Sequence, residues 1–286
     1  MSSEATWRSE DEPEMHVPSG AADWARVLRR AIPFALVTFG CLALLLLVRL
    51  IERPIFGLHR PWTPAITRFV CRTAFFIMGI RRTVHGQPME GLGAQVSNHV
   101  SWLDIFALNA CDRIYFVSKA EVAGWPGIGW LARATGTVFI NRDRREAQAQ
   151  SALLEQRLGA GHRLLFFPEG TSTDGLRVLP FKTTLFQAFH ADDVSDEFQV
   201  QPITLVYHGP DGEDPRFYGW WADMEFGEHF LKVLRQKRQG SVEIYYHPPI
   251  SVAEAGGRKA LARQCERAVR DGLAAAMVDA PLEAGD

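Results

Sequence analysis

His99 and Asp104, in the run Asn98-His99-Val100-Ser101-Trp102-Leu103-Asp104, supply the two parts of an alcohol-activating base. An imidazole with an ordinary pKa of about 6.5 is largely neutral near pH 7 and takes a hydroxyl proton, and a carboxylate beside it stabilises the imidazolium that forms. On one continuous helix, five residues turn the chain by about 140°, so the two side chains would diverge. His99 is therefore expected on a loop. Ser101 is a favoured N-cap, and Asp104 completes a capping-box-like pattern ahead of the apolar Ile105-Phe106-Ala107-Leu108, which puts Asp104 in the first helical turn. The spacing alone is weak: with nine His in the chain, one chance pair of this kind has a probability of about one half. Asp104 serves equally as a cap for its own helix.

A second polar feature follows about seventy residues on. His162-Arg163-Leu164-Leu165-Phe166-Phe167 reads as a buried strand running into Pro168-Glu169-Gly170-Thr171-Ser172-Thr173-Asp174-Gly175. A turn of this composition presents N–H groups and hydroxyls at the carboxyl end of a sheet, where α/β proteins bind ligands. Glu169 has no partner in the strand pattern, so it either anchors the turn or meets a polar substrate. Acyl transfer from a thioester to a hydroxyl needs a base, an acid that orients it and donors for the tetrahedral oxyanion, and no covalent acyl-enzyme. Ser97 and Ser101 flank His99, but neither lies in a Gly-x-Ser-x-Gly elbow. A lipid hydrolase, which needs an activated nucleophile, finds none here.

Four blocks in order resemble the glycerolipid acyltransferases of the lysophosphatidic acid acyltransferase type. They are His99-Val100-Ser101-Trp102-Leu103-Asp104, Gly136-Thr137-Val138-Phe139-Ile140-Asn141-Arg142, Phe167-Pro168-Glu169-Gly170-Thr171 and Val200-Gln201-Pro202-Ile203. The resemblance implies an O-acyltransferase with His99 as base and Asp104 as its orienting acid. It puts Lys119, Arg142, Glu169, Gly170 and Thr171 at the substrates, with no cofactor and no metal. The implied donor is a thioester of acyl carrier protein or coenzyme A, and the acceptor is a lysolipid. In many phosphatidic acid-forming relatives the third block continues with Arg and Ser, whereas here Ser172-Thr173-Asp174 follow Thr171. Arg is the side chain best suited to grip a phosphate in two places, so its loss favours an acceptor without one. Bacterial lyso-ornithine lipid acyltransferases are similar to the chain here and in Gly219-Trp220-Trp221-Ala222-Asp223-Met224-Glu225-Phe226. The alternative is a 1-acyl-sn-glycerol-3-phosphate acyltransferase, since Arg142 and Lys119 remain to hold a phosphate. A non-catalytic membrane-bound lipid-binding protein is the competing class, and it predicts no dependence on His99.

The remaining chain suits a lipid substrate. Ala31 to Val48 holds eighteen residues without a charge, just enough to span a bilayer. Trp62 to Ile80 is a second apolar stretch interrupted by Arg68 and Arg72, a poor span and a fair interfacial helix. The expected organisation is a disordered tail over residues 1–25, a membrane anchor over 26–82 and an α/β domain over 83–286. The anchor is either one span or a re-entrant helix, with a buried core helix as the bland reading. Arg residues on both sides leave its orientation open by charge. The catalytic domain is placed on the cytoplasmic face of the inner membrane, where acyl donors are made. Trp125, Trp130, Trp220 and Trp221 form either an aromatic belt or ordinary core.

A net charge of −2 gives no basic excess for nucleic acid. Cys41, Cys71, Cys111 and Cys265 are scattered, without a disulfide framework or zinc spacing. Strands are expected at Gly93–Ser97, Ile114–Val117, Thr137–Ile140, Leu164–Phe167, Val200–Val206 and Ser241–Tyr246, with helices over Arg145–Leu158, Thr183–His190 and Val252–Val278. Alternation of this kind predicts an α/β fold, a largely parallel sheet flanked by helices. Lys182 either meets a phosphate of the acyl carrier or covers the surface, Arg142 opens a charge run that is otherwise a solvated helix start, and His162, His190, His208, His229 and His247 read as structural.

Overall fold

In the computed structural model, residues 6–11, 15, 17–141, 147–190 and 198–279 are described. The apolar runs that lack alternation become strands buried on both faces, as a sheet covered on two sides requires. β1 (Arg81–His85), β2 (Gly93–Ser97), β3 (Tyr115–Lys119), β4 (Val138–Ile140), β5 (Leu164–Phe166), β6 (Gln199–His208), β7 (Ser241–Tyr246) and β8 (Ile250–Ser251) form one sheet. Its order is β1-β7-β6-β2-β5-β3-β4, with β8 beside β6. β6 runs antiparallel to β7 and β8, and the other pairings are parallel. The sheet is thus largely parallel, as expected. All five residues of β2 are buried, whereas β7 alternates, burying Val242, Ile244 and Tyr246.

Two helical layers cover the sheet. On one face lie α1 (Ala21–Phe56), α2 (Thr63–Met78), α3 (Leu103–Asn109) and α6 (Phe226–Arg235), whose apolar residues share a core with Leu205, Val242 and Ile244. On the other face α5 (Ala147–Gly159), a 3₁₀ segment over Thr183–His190 and α7 (Arg258–Asp279) pack over Val96, Phe166 and Val206. α4 (Ile128–Thr135) follows a second 3₁₀ segment, Ala120–Gly124. The expected helix at Thr183–His190 is therefore of the tighter type, and the final helix begins at Arg258, after a turn at Gly256 and Gly257.

α1 has 36 residues and is about 54 Å long at 1.5 Å per residue. Its beginning belongs to the domain: Val27 is buried with α6, Arg26 donates to the carbonyl of Arg235 (2.8 Å) and Arg30 to that of Leu234 (2.7 Å). Arginines at these carbonyls satisfy the open end of α6. Further along, Leu36, Leu44, Leu47, Leu50 and Ile51 are exposed. α1 is the one helix, among the described residues, long and apolar enough to cross a membrane. Glu52, fully buried, accepts from the N–H groups of Trp62 and Thr63 and pairs with Arg49, which fixes the turn into α2. α2 buries Cys71, Ala74, Phe75 and Met78, and Arg68 and Arg72 donate to the carbonyls of Cys111 and Ala110 just past α3. The charges that interrupt the second apolar stretch thus face protein, while Phe69 and Phe76 face outward. α2 packs on α3, so the segment over 26–82 continues into the domain without a break in packing. Residues 6–11, in the segment expected to be disordered, form neither helix nor strand and contact the loop over 214–223. Trp7 lies 5.9 Å from the Trp221 ring, and Arg8 pairs with Asp223.

Candidate active site

β2, β5, β3 and β4 are mutually parallel, so their carboxyl ends share one edge of the sheet. His99 leaves β2 on a loop that the fold ties down from three sides. Asn98 reaches from β2 to β6, where its side chain donates to the carbonyl of Leu205 (2.9 Å) and accepts from its N–H (2.8 Å). The His99 carbonyl accepts the N–H of Thr173 (2.9 Å), and the Val100 carbonyl accepts that of Trp220 (2.9 Å). The chain then enters α3. Asp104 reaches back to the N–H groups of Val100 (2.7 Å) and Ser101 (3.0 Å), while Ser101 Oγ accepts from Leu103 (3.4 Å). The reciprocal capping expected from the sequence is present, and the same carboxylate does more.

His99 Nδ1 lies 2.7 Å from Asp104 Oδ2. The carboxylate is acceptor-only, so Nδ1 carries the proton and Nε2 keeps its lone pair. The His99 ring stacks on Phe167, centroids 4.0 Å apart and planes 10° from parallel. Its side chain is 21% exposed while that of Asp104 is fully buried. The imidazole is therefore open to solvent and its partner is sealed. Asp104 Oδ1 accepts from the Tyr207 hydroxyl (2.9 Å), a residue for which no sequence signal existed.

Glu169 takes the anchoring role of the two the sequence allows. Glu169 is 2% exposed and its carboxylate accepts the N–H groups of His99 (2.8 Å) and Leu179 (2.7 Å), so it joins the β5 turn to the His99 loop. Burial raises its pKa from an ordinary 4.5 to about 8, against the lowering effect of the two N–H donors. Gly170, at φ +74°, turns the chain in the left-handed region that glycine alone adopts freely, and its N–H closes the turn on Phe167 (3.0 Å). Ser172 donates its hydroxyl to the carbonyl of Trp220, so that position holds the loop before α6 in place. Asp174 is buried beside Arg177 (3.0 Å).

Lys119 ends β3, exposed, directly opposite Ile140 at the end of β4. At about 4.8 Å per strand it lies two strands, roughly 10 Å, along the edge from the His99 loop. Arg142 follows β4 and lies outside the described residues. Thr171 sits half-buried in the β5 turn. Trp221 is buried, which removes it from any aromatic belt, whereas Trp125 and Trp130 are exposed. His162 is buried and donates to the Leu58 carbonyl, and His229 accepts from the Trp102 indole; burial lowers their pKa values to about 4 and about 3. Among the described residues no group of His, Cys, Asp or Glu is placed to hold a metal ion.

The site is a carboxylate-oriented imidazole at the carboxyl edge of a largely parallel sheet. The family model described as Acyltransferase matches residues 81–206. A lyso-ornithine lipid O-acyltransferase of Rhodobacter capsulatus is 60% identical over 263 residues, 92% of this chain and 95% of that protein. A protein of the same description from Brucella abortus is 36% identical over 231 residues, 77% of this chain and 86% of its own length. The crystal structure of the 1-acyl-sn-glycerophosphate (LPA) acyltransferase PlsC from Thermotoga maritima shares the fold, with a TM-score of 0.61 at 19% identity, over 89% of this chain and 96% of that one. The chain belongs to the acyltransferase family. Its substrates are accordingly an acyl donor and a lipid acceptor, and α1 has the length and apolar character of a membrane-crossing helix.

Proposed function

We propose that the protein moves a fatty acyl group from a thioester of acyl carrier protein or coenzyme A to the free hydroxyl of lyso-ornithine lipid. The observation that carries the chemistry is the His99–Asp104 pair at 2.7 Å, with the opposite ring nitrogen left open. His99 Nε2 takes the proton of the acceptor hydroxyl as its oxygen attacks the thioester carbonyl carbon. The tetrahedral oxyanion collapses, the C–S bond breaks, and the departing sulfur receives the proton from the imidazolium. Asp104 holds the imidazole in one tautomer and balances its charge in the intermediate. Donors for the oxyanion come from the turn Pro168–Thr173, which the Thr173 N–H ties to the His99 carbonyl. Lys119, further along the edge, takes a charged group of the substrates, and Arg142 is assigned the same task.

The ornithine acceptor is supported by the 60% identity with a lyso-ornithine lipid O-acyltransferase and by the use of Ser172 to hold the Trp220 loop, where an arginine would grip a phosphate. The membrane is met by the exposed apolar face of α1, on the cytoplasmic face of the inner membrane. Arg26 and Arg30 at the start of α1 and Arg68 and Arg72 of α2 bond to the same domain. The turn between the two helices is held by the same domain, where the Leu58 carbonyl accepts from His162 and Arg60 donates to the Ala134 carbonyl, so α1 and α2 lie along the domain.

The test pairs membranes carrying the protein with labelled acyl carrier protein thioester, and offers lyso-ornithine lipid and lysophosphatidic acid separately, with His99→Ala as the blank. A His99-dependent diacyl product from lyso-ornithine lipid alone supports the reading. Product from lysophosphatidic acid alone replaces the acceptor with the phosphate-bearing alternative, and free fatty acid without acceptor refutes acyl transfer.

A further inference from the structure

Asp104 has two oxygens with unequal tasks. Oδ2 faces His99 Nδ1, Val100 N and Ser101 N, whereas Oδ1 meets the Tyr207 hydroxyl at 2.9 Å. The carboxylate is fully buried, so an Oδ1 without Tyr207 would be a charged oxygen with no solvent to satisfy it. A carboxylate in that position relieves itself by turning about its terminal torsion, so that both oxygens share the three N–H donors. Such a turn moves the lone pair off Nδ1. We infer that Tyr207 is a positioning residue of the acyl-transfer reaction, whose hydroxyl holds Asp104 oriented toward the His99 ring. The inference rests on the proposed roles of His99 and Asp104.

Three observations support it. Tyr207 can only donate to Asp104, because burial and the neighbouring carboxylate push its phenol well above the ordinary range. Its strand is locked to the catalytic loop, since the Leu205 backbone two residues earlier exchanges both its hydrogen bonds with Asn98. Its ring is fixed in the core, packed 5.7 Å from that of Tyr218. The hydroxyl therefore arrives at Asp104 on a rigid element, as positioning demands. The titratable groups around the pair are few. His99 and Glu169 face Asp104, Tyr218 faces Tyr207, and on α6 His229 stands behind Trp102, with Lys232 one turn further along the helix.

Tyr207→Phe keeps the ring and removes only the donor. Its expected effect is a fall in kcat of about tenfold with KM within about twofold, because the loss is felt when the imidazolium forms. A carboxylate turned off Nδ1 also stabilises the imidazolium less, so the acid limb of kcat/KM moves down by about half a unit. In an Asp104→Asn background, Tyr207→Phe should change the residual activity by less than about twofold, since the group it positions is already gone. Circular dichroism melting establishes that each variant is folded. Should Tyr207→Phe fail to fold, a fluorinated tyrosine in place of Tyr207 preserves shape and keeps the donor, so kcat should stay within about twofold of wild type, and a tenfold fall would overturn the inference.

The inference is overturned by wild-type kcat in a folded Tyr207→Phe, by an equal loss in both backgrounds, or by an acid limb that stays fixed in every variant. Activity surviving in His99→Ala would overturn the proposed function itself. An inactive His99→Ala beside a fully active Tyr207→Phe would overturn the inference alone.

Discussion

Replacing Glu169 by Gln tests whether a buried carboxyl braces the catalytic loop. Both oxygens of Glu169 accept backbone N–H groups, from His99 at 2.8 Å and Leu179 at 2.7 Å. An amide of the same shape keeps one acceptor and turns its NH₂ toward the second N–H, so one buried bond is lost, at about 1–3 kcal/mol. The pH dependence is more diagnostic than that cost. The folded-state pKa of about 8 lies above the ordinary 4.5, so between these values the folded protein holds a proton that the unfolded chain has released. Stability from this group is thus fully present below about pH 4.5 and is lost as pH rises through 8. The limiting slope for one proton is about 1.4 kcal/mol per pH unit. Glu169→Gln removes that slope, so the wild type should lead the variant most at pH 5, by a margin that shrinks toward pH 8. Thermal melts of the detergent-solubilised pair at pH 5, 6, 7 and 8 measure it, with kcat followed in parallel and expected to fall about tenfold as the His99 backbone is released. A stability gap that stays constant or widens with pH refutes the argument, because the carboxyl would then be ionised throughout.

Other outcomes follow from the same geometry. His99→Ala should lose about 10²–10⁴ in kcat while retaining its melting temperature within a few degrees, because the imidazole is a solvent-reaching group with one side-chain bond; steady-state acyl transfer and circular dichroism check both parts. Asp104→Asn should be of similar severity, since its amide oxygen still accepts from the Val100 and Ser101 N–H groups while the imidazole loses its charge partner; a kcat within threefold of wild type would contradict the orienting role. Replacing both Leu47 and Leu50, exposed at 61% and 72%, by Arg should release the protein from vesicles in a flotation assay, at about 2.5–3.5 kcal/mol per charge buried in the bilayer. Retention on the vesicles would mean that this face of α1 does not enter lipid.

Much of the fold was legible because its signals are local. β2, β3, β4, β5, β6 and β7 appear within a residue or two of the runs Gly93–Ser97 to Ser241–Tyr246, since buried parallel strands write continuous apolar segments. β1 escaped because Arg81-Arg82-Thr83-Val84-His85 is an edge strand with no buried residue, so it writes no apolar run. α6 starts at Glu225 without a favoured N-cap, and α4 starts at Gly127 in the left-handed region, so neither announces its beginning. Thr183–His190 has helical periodicity, but periodicity cannot separate an α-helix from a short 3₁₀ run.

The sequence by itself determined that His99 leaves a strand on a loop and that Asp104 opens a helix. That followed from capping chemistry and from the 3.6-residue period, both properties of neighbouring residues. It also determined a membrane-length apolar helix, from composition alone. The tertiary structure alone decided which groups complete the site. Tyr207, Glu169 and Trp220 reach the His99 loop from β6, the β5 turn and the 219–226 loop, far away in sequence. It also decided that Arg68 and Arg72 bond to carbonyls beyond α3. The physical reason is that the partner of a buried polar atom is set by strand order and helix packing. Neither leaves a mark in the spacing of residues along the chain.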